Sequence, residues 1–430
     1  MNNNLTEQQT PLFYFISNSV KKGSRSTIAA FLFLSLALAG ISCEDSGIVG
    51  GGSDTDSDKV TTTEIEITDL EILSGNGFSG QLGSSSLGQV EDPFFGDIYS
   101  ISLLKPSITA DADLETFDAD TEMKLRIVFN PLKYGNESSV SEYNIYEVDE
   151  RWRGREISYN TLVSFDETNL IGSFDLTDEE EVDVDLSDEW VNRYREFYNS
   201  EAADRDSTYN FEFPGIAVVP ADQNDRVDFL RYQPASDDTA GVDITRFIIE
   251  NEEDSISVVM PLADWASSMT RSNQPESSDE YFVLHNTLEQ ILKLTIDLDE
   301  EQFTGQDIIN AQMIFYVDPE VESTTAAGFS RPEPALLRAH IFNDDPLNVT
   351  DEIFTTESSS SATIDTDENA YQINVTNYLL NNLYGEGDPL SVYVSLQNTN
   401  GLLYSSRFVN ENGAANRTPR LIITTINTEN

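Results

Sequence analysis

Apolar and polar residues alternate along most of this chain, and that period of two constrains the fold more than any other feature. In EMKLRIVF the residues Met123, Leu125, Ile127 and Phe129 fall on one side of an extended chain, and in SVYVSLQ so do Val392, Val394 and Leu396. Such stretches recur from TEIEITDLEIL onward. Each buries one face and wets the other, so the simplest shared core lies between two sheets. Only two stretches change to helical spacing. LSDEWVNRYREFYNS sets Trp190, Tyr194, Phe197 and Tyr198 behind a Ser187/Asp188 cap, and NVTNYLLNNLYGEG sets Tyr378, Leu379, Leu380 and Leu383 ahead of a Gly385 stop. Both aromatic stripes read as core rather than as binding faces.

The two helical stretches lie at matching places in a duplication. VDVDLS and YQINVT precede them; YNFEFPGIAVV and LSVYVSLQ, then RVDFLRY and GLLYSSRF, then GVDITRFII and PRLIITT follow them as strands. Upstream, MKLRIVFN corresponds to NAQMIFYVD and SEYNIYEVDE to LLRAHIFNDD. The chain is therefore expected to be all-β, with two tandem sandwich modules at 64–252 and 253–430, each carrying one short helix. With 39% hydrophobic and 10% aromatic residues among 430, it can fill two such cores.

The N-terminal stretch KKGSRSTIAAFLFLSLALAGISC places Lys21, Lys22 and Arg25 before an apolar run that ends at the chain's single cysteine, Cys43. It resembles a bacterial lipoprotein signal. The resemblance implies removal of residues 1–42, acylation of Cys43 and attachment to a lipid bilayer. Ala37-Leu38-Ala39 would also serve an ordinary signal peptidase, and the apolar run falls short of the about 20 residues that span a membrane. A lone thiol has little other use in an exported protein. Residues 43–63, rich in Gly, Ser, Asp and Thr, read as a flexible acidic tether reaching roughly 25 Å.

Formal net charge is -53 for the whole chain; without the three basic residues and one acidic residue before Cys43 it is -55. Nucleic acid is excluded as a partner, because neutralising phosphates needs clustered Lys and Arg. The acids are spread along the chain and read mainly as a solvated surface suited to a saline setting.

Further motifs carry a family resemblance. Trp152, Glu156, Ile157, Ser158, Tyr159 and Asn160 of RWRGREISYN, the helix after DVDLS and the closing YSSRF and PRLIIT resemble the DNRLRE-type jelly-roll modules of exported glycan-related proteins. SLGQVEDPFFGDIYSISL, FEFPGIAVV and GQDIINAQMIFYV resemble the Bacteroidota lipoprotein family called domain of unknown function 4270. Together they cover most of 80–427 and imply jelly-roll-like modules on an outer-membrane lipoprotein. They carry no catalytic residues.

Candidate sites are few. Arg151, Arg153 and Arg155 around Trp152 form the basic cluster of the exported part; guanidinium forks and an indole face suit an acidic sugar, a phosphate headgroup or a partner's carboxylates. Pairing with the chain's own acids, with Trp152 buried, is the competing reading. Asp111, Asp113, Asp118 and Asp120, and separately Asp365, Asp367 and Glu368, could offer oxygens to a structural calcium ion, though neither group has an EF-hand pattern. No other cofactor is expected. GNGFSG at Gly75–Gly80 fits a dinucleotide pattern, but QLGSSSLGQ follows it rather than a helix. His285 and His340 lie far apart, without HExxH, GxSxG or a P-loop. The expectation is a non-catalytic lipoprotein on the outer face of the outer membrane that binds a glycan or an envelope protein. Two alternatives stay open: a periplasm-facing accessory of an outer-membrane secretion or assembly complex, and a carbohydrate-active enzyme.

Overall fold

The alternating stretches are strands. Glu122–Val128 buries Met123, Leu125 and Ile127 and turns Lys124 and Arg126 toward solvent, as the pleat requires. The computed structural model describes residues 60–427 apart from 68–69, 110–116, 119–120, 222–223, 234–243, 252–255, 297, 299, 333–335, 343, 345, 356–358, 386–390, 398–399 and 414–416. The expected signal, Cys43 and most of the tether lie outside the described residues.

All pairings between strands are antiparallel, and the pattern occurs twice. In the first module Glu122–Val128 lies between Glu181–Asp185 and Arg246–Asn251. Across the core, Ile216–Pro220 pairs with Ser141–Val148 and with Asp97–Pro106. In the second module Gln306–Tyr316 lies between Ala370–Asn374 and Arg420–Asn427, while Ser391–Leu396 pairs with Leu337–Ile341 and Gln290–Thr295. Each pair of sheets encloses its own apolar core. Leu125, Ile127, Ile145, Ile216 and Val218 meet in the first; Met313, Phe315, Leu337, Val392 and Val394 meet in the second. The fold is an all-β sandwich architecture.

The strands at the module edges are exchanged. Val60–Glu66 and Leu70–Ser74 form a strap that pairs with Arg420–Asn427 and Gln290–Thr295, both in the second module. The corresponding strap of the second repeat, Ile256–Met260 and Leu262–Ser272, pairs with Arg246–Asn251 and Asp97–Pro106 in the first. The boundary drawn at 252/253 thus separates the sequence repeats but not the strands. Residues 64–74 complete the second module, and the strap after 253 completes the first. The expected tether is also shorter by Val60–Thr63, which pair from Val60↔Ile426 to Thr63↔Ile423. Exchange covers sheet edges that would otherwise expose unpaired N–H and C=O groups.

GNGFSG joins the first strap to the first module. Its glycines answer a steric need: a Cβ on Gly75 would overlap the Leu288 carbonyl, and one on Gly80 the Gly154 carbonyl. The segment leads into the strand Ser84–Val90, which leaves no helix N-terminus for a pyrophosphate.

Both expected helices form, as Asp188–Tyr198 and Thr376–Tyr384. Ser187 is the N-cap residue of the first but makes no side-chain cap bond; Asp188 and Glu189 instead place negative charge in its first turn. Trp190 and Tyr194 lie fully in the core, stacked at 6.2 Å. One helix per module is too few. Arg205–Glu212, Pro319–Ser323 and Val349–Thr355 are also helical. The first of these reads as strand in sequence because Tyr209, Phe211 and Phe213 alternate. Tyr209 and Phe213, four apart, instead share a buried helical face, stacked at 5.1 Å, and Phe211 points outward.

Candidate functional site

The 3-10 turn Gly154–Glu156 sets the arginine cluster on the surface of the first module. Trp152 does not join it there. Its ring is 6% exposed among Ile101, Leu103, Val148 and Ala217, and its Nε1 donates to the Pro214 carbonyl at 2.7 Å. The indole is therefore a core plug and not a sugar platform. Arg151, Arg153 and Arg155 are all exposed.

Among the described residues, the three guanidiniums have no carboxylate closer than 4.0 Å. Elsewhere arginines grip acids tightly, as in Arg126–Asp183 at 2.6 Å, Arg271–Glu289 at 3.0 Å and Arg331–Asp92 at 2.6 Å. Among the described residues, Arg153 reaches Glu156 only at 4.0 Å, and Arg155 donates from Nε to the Gln81 amide oxygen at 3.1 Å. Arg151 lies 4.0 Å above the ring of Phe211, which presents an exposed aromatic face. The nearby carboxylate of Asp264 is occupied by the Gly154 N–H at 2.8 Å and the Gln81 amide at 2.9 Å. Beneath the cluster lies Lys105, whose amine donates to the Asn210 carbonyl at 3.2 Å and sits 5.0 Å from the Tyr209 ring. Burial pulls its pKa down to about 8; Asp264 opposes that shift, while Arg151 and Arg153 add to it. Sequence order separates Lys105 and Phe211 from the arginines, and reading Phe211 as a strand residue hid its contribution.

The candidate calcium group is largely beyond description: Asp111, Asp113 and Asp120 lie outside the described residues, and Asp118 is the one member inside them. In DTDEN, the Asp365 carboxylate accepts the backbone N–H groups of Asp367 at 3.0 Å and Glu368 at 3.3 Å, closing its own turn. Among the described residues no group of three or more His, Cys, Asp or Glu is placed to hold a metal ion.

Both histidines are buried in the second module. His285 Nδ1 lies 2.7 Å from Ser405 Oγ and its Nε2 lies 2.8 Å from the Gln274 amide nitrogen. With the amide donating to Nε2, the imidazole donates to Ser405, the reverse of what would activate a serine nucleophile. Burial, with Arg271 adding to it, lowers the His285 pKa to about 3; burial and Arg338 lower that of His340 to about 4.

No family model matches the chain, and no curated protein matches it. Among solved structures, a subviral particle of VP2 from infectious bursal disease virus is 10% identical over 86% of this chain and 76% of that chain, with a TM-score of 0.13. The major capsid protein P2 of bacteriophage PM2 is 9% identical over 85% and 97%, with a TM-score of 0.09. Likeness this faint carries no argument.

Proposed function

We propose that the chain is a non-catalytic lipoprotein of the cell envelope, held on the outer face of the outer membrane by an acylated Cys43. In this reading its modules bind an extracellular glycan or surface partner whose carboxylates meet Arg151, Arg153 and Arg155. One observation carries the reading: in a chain of net charge -53, three neighbouring exposed arginines have no tight carboxylate partner among the described residues. Exposed guanidinium forks with an exposed aromatic neighbour favour planar anionic groups. At ordinary ionic strength, screening over about 8–10 Å leaves this local patch effective despite the acidic whole. The lipoprotein-like signal and the family resemblance support the location.

The test is protease shaving of intact cells carrying a C-terminally tagged chain, with the Cys43→Ala variant and a triple variant Arg151→Ala, Arg153→Ala, Arg155→Ala. Loss of the tag from intact cells, and a drop of at least about tenfold in retention of an acidic polysaccharide by the triple variant, are the expected results. Protection of the tag until the outer membrane is permeabilised would replace this reading with the periplasmic accessory role. Unchanged retention would remove the arginine face.

A further inference from the structure

The first strap covers one sheet edge and becomes an edge itself. Val60–Glu66 is the outermost strand of its five-stranded sheet: Arg420–Asn427 pairs with one side of it, and among the described residues no strand pairs with the other. One bond fixes which way its backbone points. The Ile67 N–H donates to the Pro419 carbonyl at 2.9 Å, and the register continues as Ile65↔Leu421, Thr63↔Ile423 and Thr61↔Thr425. Successive residues of an antiparallel strand turn their N–H and C=O groups to opposite sides. The groups of Thr61, Thr63 and Ile65 therefore meet Arg420–Asn427, and those of Val60, Thr62, Glu64 and Glu66 face outward.

Sheet edges are commonly guarded against further pairing by lysine, proline, bulges or opposed like charges. Glu181–Asp185, the edge strand of the first module's four-stranded sheet, carries such a guard. Two copies laid antiparallel about Asp183 would set Asp183 against Asp183 and Glu181 against Asp185. VTTTEIE has no lysine or proline, and its register against Arg420–Asn427 runs without a bulge. Val60, the three threonines and Ile65 are β-branched, which suits a ladder. All of the strand but Ile65 is exposed, which leaves both faces clear for a neighbouring strand.

We propose that Val60–Glu66 pairs antiparallel with the same strand of a second copy of this chain, about a two-fold axis at Thr63. That register uses the whole strand: Thr63 faces Thr63, Thr62 exchanges main-chain bonds with Glu64, and Val60 does so with Glu66. No acid opposes an acid, and Arg420 already pairs with Glu64. Shifting the axis to Glu64 would set two carboxylates against each other, and shifting it to Thr62 would leave Ile65 and Glu66 outside the ladder. The edge is thus complementary to itself, as a closed two-fold interface requires. Bodies of net charge -53 repel one another at long range. Salt shortens that repulsion from about 30 Å at about 0.01 M to about 8 Å at about 0.15 M and leaves main-chain hydrogen bonds in place, so the pairing strengthens as salt is added. It depends on neither the arginine face nor the lipid anchor.

The test is oxidative cross-linking of the full-length chain in detergent. Cys43→Ala removes the single cysteine, and Thr63→Cys or Val60→Cys is added to it. In the proposed register Thr63 sits at a non-hydrogen-bonded pair, whose Cα atoms about 4.5 Å apart suit a disulfide, whereas Val60 lies about 20 Å from its copy. Thr63→Cys should form a covalent dimer and Val60→Cys should not. The dimer yield should rise as salt is raised. Adding Thr62→Pro to Thr63→Cys removes one outward N–H and no bond to Arg420–Asn427, and should abolish the dimer while the monomer stays folded. No dimer from Thr63→Cys, an equal yield from Val60→Cys, a yield unmoved by Thr62→Pro, or a yield that falls with salt would overturn the proposal.

Discussion

Two buried arginines lie on equivalent strands of the two modules, and they are treated differently. Arg226 of the first module is enclosed: Nε donates to Asp228 at 3.0 Å, Nη1 to the carbonyls of Ser139 at 2.7 Å and Glu137 at 3.2 Å, and Nη2 to that of Leu176 at 3.1 Å. Tyr143 completes the group, donating to Asp228 at 2.7 Å. Arg407 of the second module crowds two acids onto one terminal nitrogen, and its buried Nε has no partner among the described residues. A saturated buried arginine fixes local structure. One held only through a terminal nitrogen leaves the rest of its guanidinium to aromatic packing. The two modules share one pattern of strand pairing, and they diverge in how these strands hold a buried guanidinium.

The largest effect should come from breaking the closed group. Asp228→Ala leaves Arg226 charged and buried, and we expect about 3–5 kcal/mol of lost stability in denaturant unfolding. A loss under about 1 kcal/mol would mean that Arg226 is not held by its carboxylate, and the contrast with Arg407 would collapse. The exchanged straps should differ next. Met269 in the second strap is buried, whereas Ile65 in the first is half-exposed. Met269→Ala should therefore cost about 2–5 kcal/mol and Ile65→Ala about 1 kcal/mol. Equal costs would show that the first strap is held as firmly as the second.

Acid should act on the second module, which holds both histidines. Their folded pKa values, about 3 for His285 and about 4 for His340, are depressed by burial. As pH falls below the ordinary histidine value near 6.5, the unfolded chain takes up protons first. Stability present above pH 6.5 is thus lost progressively as pH falls, toward pH 3 for His285 and pH 4 for His340, by about 2 kcal/mol per histidine at pH 5. Protonation of exposed carboxylates relieves self-repulsion over part of the same range, so the difference between wild type and His285→Gln isolates the histidine contribution. Identical pH slopes for the two chains would refute it.

Much of the strand framework was legible because alternation reports which side of a strand is buried, as at Met123, Leu125 and Ile127. The duplication was legible because Trp190 and Tyr378 open matching helices after matching strands. Strand exchange was not, since Val60–Glu66 alternates equally well whichever sheet edge accepts it; pairing over more than 350 residues leaves no mark on local periodicity. The burial of Trp152 was hidden for a related reason. A residue in an irregular turn has no period from which its direction can be read.

The smallest predicted effect bears on what keeps Arg407 in place. Asp318 serves both as its carboxylate partner and as N-cap of Pro319–Ser323, where its side chain accepts the Glu320 N–H at 2.9 Å. Asp318→Asn keeps a capping oxygen, since Asn and Asp are comparable caps, and removes one charge. Glu320 still reaches the same nitrogen, so the arginine keeps an anion and the expected loss is about 1 kcal/mol or less. Thermal unfolding of this variant beside Asp228→Ala measures the asymmetry directly. A loss as large as that of Asp228→Ala would mean that Glu320, which is mostly exposed, does not share the charge, and that both arginines depend on a single carboxylate.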